Sequence, residues 1–144
     1  MKLRFLCGHH RQWLLENPGA ALGAWQQASD GSLQLLEAGR LNEATNYAGC
    51  ALETSDILLS QHAEPCDQHI TRFSRSAIRL AHLLVEINQA TAAGTVLAGA
   101  LSRLQSLLGV ANARTALMRA LDQLSATAEQ LQLPHEPPRG AALH

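Results

Sequence analysis

The sequence predicts an all-α protein made of antiparallel helical hairpins, and two observations support this fold class. Leu and Ala dominate the composition, whereas Val, Ile, Phe and Tyr are scarce. Ala and straight-chain residues favour helices because they lose little side-chain freedom there. Apolar residues also recur at helical spacing, and strand-like alternation is confined to residues 3–6. With 144 residues, the chain is long enough for one domain with a real core.

The first half of the chain is predicted to hold a short helix and two long ones. The short helix fits residues 9–16, since Asn17 precedes a proline and is pushed out of the helical region. The first long helix covers residues 20–38, and the second begins with Asn42 as its N-cap and runs to about residue 61. The first long helix has an apolar face made of Leu22, Trp25, Leu33 and Leu36.

Three further helices are predicted in the second half, which brings the long helices to about five. The segment "HAEPCDQH", residues 62–69, interrupts the pattern, and its proline opens a helix over about 66–88. A turn within residues 89–94, at 92–94 or slightly earlier, leads to a helix over 95–108, and the last helix spans about 111–131. The inner face of the helix over 66–88 consists of Ile70, Phe73, Ala77, Leu80, Leu84 and Ile87.

The ends of the chain carry two expectations of their own. The N-terminal "MKLRFLCGHH" has too few apolar residues for a signal peptide, and no later segment is apolar enough to span a bilayer. We therefore expect a cytoplasmic protein, bacterial by its composition, that does not insert into membranes. At the other end, residues 134–144 contain three prolines and are expected to form a flexible tail after a single domain over 1–133.

Charge and cysteine content exclude some classes of function. The chain has 11 basic and 12 acidic residues, a formal net charge of −1, and lacks the basic excess of a nucleic-acid-binding protein. Its cysteines are odd in number and are expected to remain thiols in a reducing compartment. The chain has no nucleophile-elbow serine motif and no phosphate-binding loop, and its single lysine is Lys2. We expect a protein that is not an enzyme.

One stretch, "EAGRLNEATNYAGCALE" at residues 37–53, suggests an internal helical repeat. The hairpins predicted over 20–61 and 66–108 imply a period of roughly 45 residues, which is typical of helical repeats. The stretch resembles the second helix of a tetratricopeptide repeat. In that family a glycine ends the preceding helix, small residues let the helices approach, and an aromatic side chain fills the gap to the next repeat. Here these positions correspond to Gly39, Ala44, Ala51 and Tyr47.

The resemblance is confined to residues 37–53, and it implies a short superhelix with a concave groove. Groove residues would come mainly from the helices over 20–38 and 67–88. The alternative is a plain Ala-rich helical bundle in which Gly39 only caps a helix.

A row of basic side chains is predicted along the helix over 66–88. Arg72, Arg75, Arg79 and His82 are spaced 3, 4 and 3 residues apart, so they share a face roughly opposite Phe73. Arginines in such a row can bind an acidic peptide or a phosphate group through paired hydrogen bonds. The alternative is an ordinary solvated helix face.

Two clusters of cysteine and histidine are candidate metal ligands. The first is Cys7, His9 and His10, and the second is His62, Cys66 and His69. Thiolate and imidazole groups bind zinc, but neither cluster has the paired Cys-x2-Cys spacing of zinc sites. A shared four-ligand site requires the N-terminus to fold back onto residues 62–69. The alternative is surface histidines with inert cysteines.

The remaining bulky and small residues are expected to pack in the core. Trp13 and Trp25 are predicted to be core side chains, and Cys50 a small buried residue.

The leading hypothesis for function is a non-enzymatic protein-binding module, namely an adaptor, a regulator or a secretion-type chaperone. Its partner would be another protein or peptide lying in the groove, and a homodimer is plausible because the solenoid is short. No cofactor is expected under this hypothesis. The competing hypothesis is a zinc- or redox-responsive regulator that uses the two Cys/His clusters.

Overall fold

The computed structural model describes residues 4–109 and 112–133, and it confirms the all-α prediction. These residues form six α-helices and one 3-10 turn, and no strand. The predicted tail over 134–144 lies outside the described residues. The elements are α1 (Gly8–Glu16), the 3-10 turn (Pro18–Ala20), α2 (Ala21–Glu37), α3 (Leu41–Ser60), α4 (Asp67–Glu86), α5 (Ala90–Gln105) and α6 (Arg114–Gln130).

The helices lie in two layers, with α4 at the centre. One layer consists of α2, α4 and α6. Trp25 Nε1 of α2 donates a hydrogen bond to Ser76 Oγ of α4 at 2.9 Å, and α6 packs against α4. α3 and α5 form the other, joined where Arg103 Nε donates to Asp56 Oδ1 at 2.8 Å. α4 packs against α3, α5 and α6. The short links between α2 and α3 and between α4 and α5 make each pair a hairpin.

Three helices end in the same left-handed turn. Gly39, Asn88 and Gln132 have positive φ angles of 75°, 63° and 57°. In each case the next amide donates to the carbonyl five residues earlier, which is the Schellman pattern that satisfies helix C-termini. These bonds run from Arg40 to Leu35, from Gln89 to Leu84 and from Leu133 to Ala128.

These turns explain two helix boundaries that the sequence pattern placed wrongly. The turn at Asn88 ends α4 early enough for α5 to begin at Ala90, so the predicted turn at residues 92–94 lies inside a helix. Asn tolerates the left-handed conformation, and it takes the role expected of a glycine. Likewise α3 begins at Leu41 directly after the Gly39 turn, so Asn42 lies inside the helix rather than at its N-cap.

The main core surrounds α4, as its apolar pattern predicted. Phe73 is the largest fully buried side chain, and five of the six predicted inner-face residues are buried. The sixth, Ile87, is partly buried at the end of the helix. Around this face pack the leucines and alanines of α3, α5 and α6. Burial of one side by three neighbouring helices gives α4 its strongly two-sided sequence.

The buried face of α2 differs from the predicted one. Leu22, Leu33 and Leu36 are 42 %, 40 % and 39 % exposed, and the buried residues are Ala21, Ser29 and Ser32. Small side chains are needed there because α2 approaches α3 closely. Ser32 Oγ donates to the carbonyl of Ala44 at 3.0 Å, and Ala44 is fully buried as predicted for a small packing position.

The N-terminal segment is fixed to α3 by a buried carboxylate. Glu53 accepts hydrogen bonds from the amides of Phe5 and Leu6 and from Arg11 Nη1, the last at 3.2 Å. The ring of Phe5 lies directly over Gly49, and a Cβ at that position would overlap it. The segment and α1 therefore cover α3 through a charged anchor, a glycine contact and the buried side chains of Leu6 and Leu14, which cluster with Ile57 and Leu58.

Within residues 4–109 and 112–133, no helix is both long enough and apolar enough to cross a lipid bilayer.

Candidate binding groove

An open groove of about 730 Å³ lies between α4 and α6, and its lining is cationic. From α4 it takes Arg75, Arg79 and His82, and from α6 it takes Arg119. Asp67 at the start of α4, polar side chains of both helices, and the apolar side chains of Ile78, Ala116 and Ala120 complete the lining. The predicted basic row of α4 therefore borders a concavity rather than a flat solvated face.

Three of the four residues in the predicted row line this groove, and Arg72 does not. Arg72 turns to the α2 side, where its guanidinium lies 5.6 Å from the centre of the Trp25 ring and Nη1 lies 3.1 Å from His69 Nδ1. Stacking on Trp25 stabilises this position through a cation–π interaction. Arg72 therefore joins the two hairpins.

Arg79 is held in a fixed position at the edge of the groove. Its Nη1 atom donates to Ser29 Oγ at 2.9 Å, which also ties α4 to α2. Burial lowers the pKa of Arg79, the charge of Arg75 lowers it further, and the charge of Asp30 opposes the change. Arginine remains protonated under such shifts because its ordinary pKa is so high. The groove thus has one anchored cation beside the exposed Arg75.

The cations of the groove are not neutralised by ion pairs among the described residues. The ion pairs found there join Arg11 to Glu53, Arg40 to Glu43 and Arg103 to Asp56, all outside the groove. Two exposed guanidinium groups, those of Arg75 and Arg119, therefore face solvent from opposite sides of the groove. Such an arrangement suits a ligand with carboxylate or phosphate groups.

Arg119 is a site residue that sequence reasoning missed. It lies on α6 opposite the buried Leu117 and Leu124, so its spacing places it on the polar face of that helix. The same spacing argument applies to any exposed arginine on a helix, so it does not identify a site residue. Only the packing of α6 beside α4, a contact distant in sequence, turns it into a groove residue.

An apolar row on α2 runs beside the cationic one. Leu22, Ser29, Leu33 and Leu36 are spaced 7, 4 and 3 residues apart, so they share one side of the helix. Because Ser29 accepts the bond from Arg79, this side borders α4. Trp25 contacts residues 72 and 76, and Ser29 contacts residue 79, so both rows run in the same direction. We call Leu22, Leu33 and Leu36 the leucine row.

A second groove, of about 500 Å³, lies near the N-terminus between α1, α2 and α3. Trp13 lines it and is 50 % exposed, so the prediction that Trp13 is a core side chain is wrong; the residue that α1 buries is the neighbouring Leu14. Trp25 is partly buried at the α2–α4 junction. The ring of Tyr47 also lines this groove and lies against Gly31 of α2, within its own hairpin.

Cys50, predicted to be buried, is only partly so and also lines the N-terminal groove. Burial raises the pKa of the Cys50 thiol, and the charges of Glu53 and Cys7 raise it further. A raised pKa keeps the thiol protonated and unreactive at neutral pH.

The two predicted Cys/His clusters do not combine. Across the described ranges, no three side chains of His, Cys, Asp or Glu converge as metal ligands. The N-terminus folds onto Glu53 of α3, and there Cys7 caps α1, its Sγ accepting from the amide of His10 at 3.4 Å. His9 and His10 are exposed on α1. In the second cluster, the His62 and His69 rings stack at 5.8 Å, while Cys66 occupies the N-cap of α4.

The contact between His69 and Arg72 predicts a pH dependence of stability. Partial burial lowers the pKa of His69 from its ordinary value of 6.5, and the nearby charges of Arg72 and His62 lower it further. The unfolded chain therefore takes up this proton first as the pH falls. The contribution of neutral His69 to the free energy of unfolding is complete above about pH 6.5. It is lost as the pH falls from there towards the lowered pKa.

We expect His69→Gln to reduce the change in the free energy of unfolding between about pH 7.5 and about pH 5.5, measured by urea unfolding at several pH values. The control is His9→Gln on the exposed start of α1, which should leave the slope as it is in the unmodified protein. An unchanged slope in His69→Gln would contradict the role assigned to this contact.

Comparison of the chain with protein-family models, with curated proteins and with solved structures gave no match.

Proposed function

We propose that this protein is a non-enzymatic protein-binding module, acting as an adaptor, a regulator or a secretion-type chaperone, and that a segment of its partner lies in the groove between α4 and α6. The observation that carries the proposal is the set of cations in this groove, Arg75, Arg79 and Arg119, which no ion pair among the described residues neutralises. Cations held on two packed helices form a prepared surface for an anionic partner.

The two-layer arrangement supports this choice of surface. In stacked helical hairpins, one helix of each pair lines a shared face on which extended partners bind. Here α2, α4 and α6 make up such a layer, and the groove and the leucine row both lie on it. The resemblance of residues 37–53 to a tetratricopeptide repeat stays a prediction.

Capture of partners from a lysate tests the proposal. Tagged full-length protein is compared with the double variant Arg75→Glu/Arg119→Glu, and captured proteins are identified by mass spectrometry. We expect the affinity of the variant for the specific partner to fall about a hundredfold, since each reversed contact lowers the affinity about tenfold or more. Both residues are exposed, so the fold should tolerate the changes.

The matched control is Arg40→Glu/Arg114→Glu, which changes the net charge equally at exposed positions outside the groove lining. It should capture the same proteins as the unmodified chain. Equal capture by the groove variant and the unmodified protein would show that the partner binds elsewhere.

A further inference from the structure

The chemistry of the surface also points to the kind of partner segment. Resting on the proposed function, we propose that the groove binds an acidic amphipathic helix, whose carboxylates meet Arg75 and Arg119 while its apolar side chains lie on the leucine row of α2. The carrying observation is the juxtaposition of these two rows, which are bridged by Arg79 and Ser29.

The charged half of the surface selects carboxylates. Arg75 and Arg79 lie close enough for their charges to repel, and Asp30 is the acid that acts on Arg79. An incoming carboxylate relieves this repulsion and can accept two parallel hydrogen bonds from one guanidinium group. Arg119 offers a second such contact across the groove.

The apolar half of the surface argues for a helix rather than a small anion. Leu22, Leu33 and Leu36 are about 40 % exposed along the side of α2 that borders α4. A free phosphate would leave them in contact with water, whereas leucine-type side chains of a partner would cover them. From Leu22 to Leu36 the row extends for about 21 Å, which matches about four turns of a partner helix.

The same charges argue against a second copy of this chain on this face. A pairing of two copies through this face that also sets their α4 helices opposite each other would bring the row of Arg75, Arg79 and His82 close to an identical row. Such like-charge contacts disfavour a symmetric pairing, whereas an acidic partner removes the conflict.

The proposal is tested with three fluorescein-labelled synthetic peptides of about 18 residues and helical design. The first has leucines at helical spacing flanked by glutamates, the second has glutamine in place of each glutamate, and the third has alanine in place of each leucine. Fluorescence anisotropy with the full-length protein gives the affinity of each. We expect the first peptide to bind about tenfold or more tightly than either of the others, and its affinity to fall as salt is added.

Variants of the protein locate the contacts. Arg75→Gln and Arg119→Gln should each weaken the first peptide by about tenfold, and Leu33→Ala/Leu36→Ala should weaken it by a similar factor. All four positions are exposed, so thermal unfolding should confirm an intact fold in each variant. Arg114→Gln, on α6 but outside the groove lining, is the matched control and should bind normally.

Each contrary result has its own meaning. If the glutamine peptide binds as tightly as the glutamate peptide, the acidic requirement is wrong, although the groove can still be the partner site. Equal binding of the alanine peptide removes the leucine row from the proposal. No binding of the first peptide overturns the proposed occupant, while the lysate capture decides separately whether the groove is used.

Discussion

Replacing Phe73 with alanine is expected to lower the free energy of unfolding by about 3–5 kcal/mol, which is a large part of the stability of a domain this size. Among the residues that the structure describes, Phe73 is the largest fully buried side chain, and it lies on the central helix, α4. It belongs to the core cluster that α4 shares with α3, α5 and α6. Because these helices are fixed by their own packing, they cannot collapse into the space that the ring leaves.

Urea unfolding followed by circular dichroism at a helical wavelength measures the effect, with the linear extrapolation giving the free energy in water. Met118→Ala serves as the control, because Met118 is a large apolar residue that is 43 % exposed on α6. We expect it to change the free energy of unfolding by no more than about 0.5 kcal/mol. A loss below about 1.5 kcal/mol in Phe73→Ala would show that the core around α4 is not as closely packed as described.

The second large effect is expected from Glu53→Ala, which should release the N-terminal segment from α3. The Glu53 carboxylate is buried and is the shared acceptor of Phe5, Leu6 and Arg11. Removal of a charged acceptor leaves these donors without their partner, at a cost of about 2–3 kcal/mol to the docking of the segment. α1 should be loosened with it, because Arg11 makes its ion pair to α3 among the described residues, while Leu14 stays packed with Ile57 and Leu58.

Amide hydrogen exchange distinguishes this local release from general destabilisation. In Glu53→Ala the amides of Phe5, Leu6 and α1 should lose protection, while those of α4 and α5 keep most of theirs. The matched control is Glu43→Gln, which removes a carboxylate from an exposed pair with Arg40 on the same helix. An exposed pair contributes little, so protection should stay as it is. Unchanged protection at Phe5 and Leu6 in Glu53→Ala would contradict the anchoring role.

The parts of the fold that the sequence predicted correctly are those where one helix faces a broad apolar environment. α4 is the clearest case, because three neighbouring helices bury a single side of it and leave the arginines on the other. Its apolar spacing is therefore kept in the structure, and three of the four residues of its basic row line one groove. Prediction failed for α2, where spacing identified the leucine row but not its surroundings. Periodicity marks a face of a helix and does not say whether that face meets the core or the solvent.

The site was predictable in part for the same reason. Arg75, Arg79 and His82 follow from the pattern of one helix, whereas Arg119 requires knowledge of which helices are neighbours. Glu53 was equally hard to identify, since a single glutamate in a helix usually lies in solvent. Its burial depends on the N-terminal segment folding back over a distance of 47 residues. Such contacts between distant parts of the chain are not visible in local spacing.

The bridges between α2 and α4 also have a mechanical consequence. On this side the hairpins meet through polar and cation–π contacts of Trp25, Ser29, Arg72 and Arg79, whereas α3 and α4 meet through buried apolar side chains. A hydrogen bond exchanged for water costs only about 0.5–1.5 kcal/mol, but parting an apolar contact exposes surface to water. Separating the two hairpins therefore costs less free energy on the α2 side than on the α3 side. We expect bending between the hairpins to occur about an axis near α3, which would change the distance between the leucine row and the arginines.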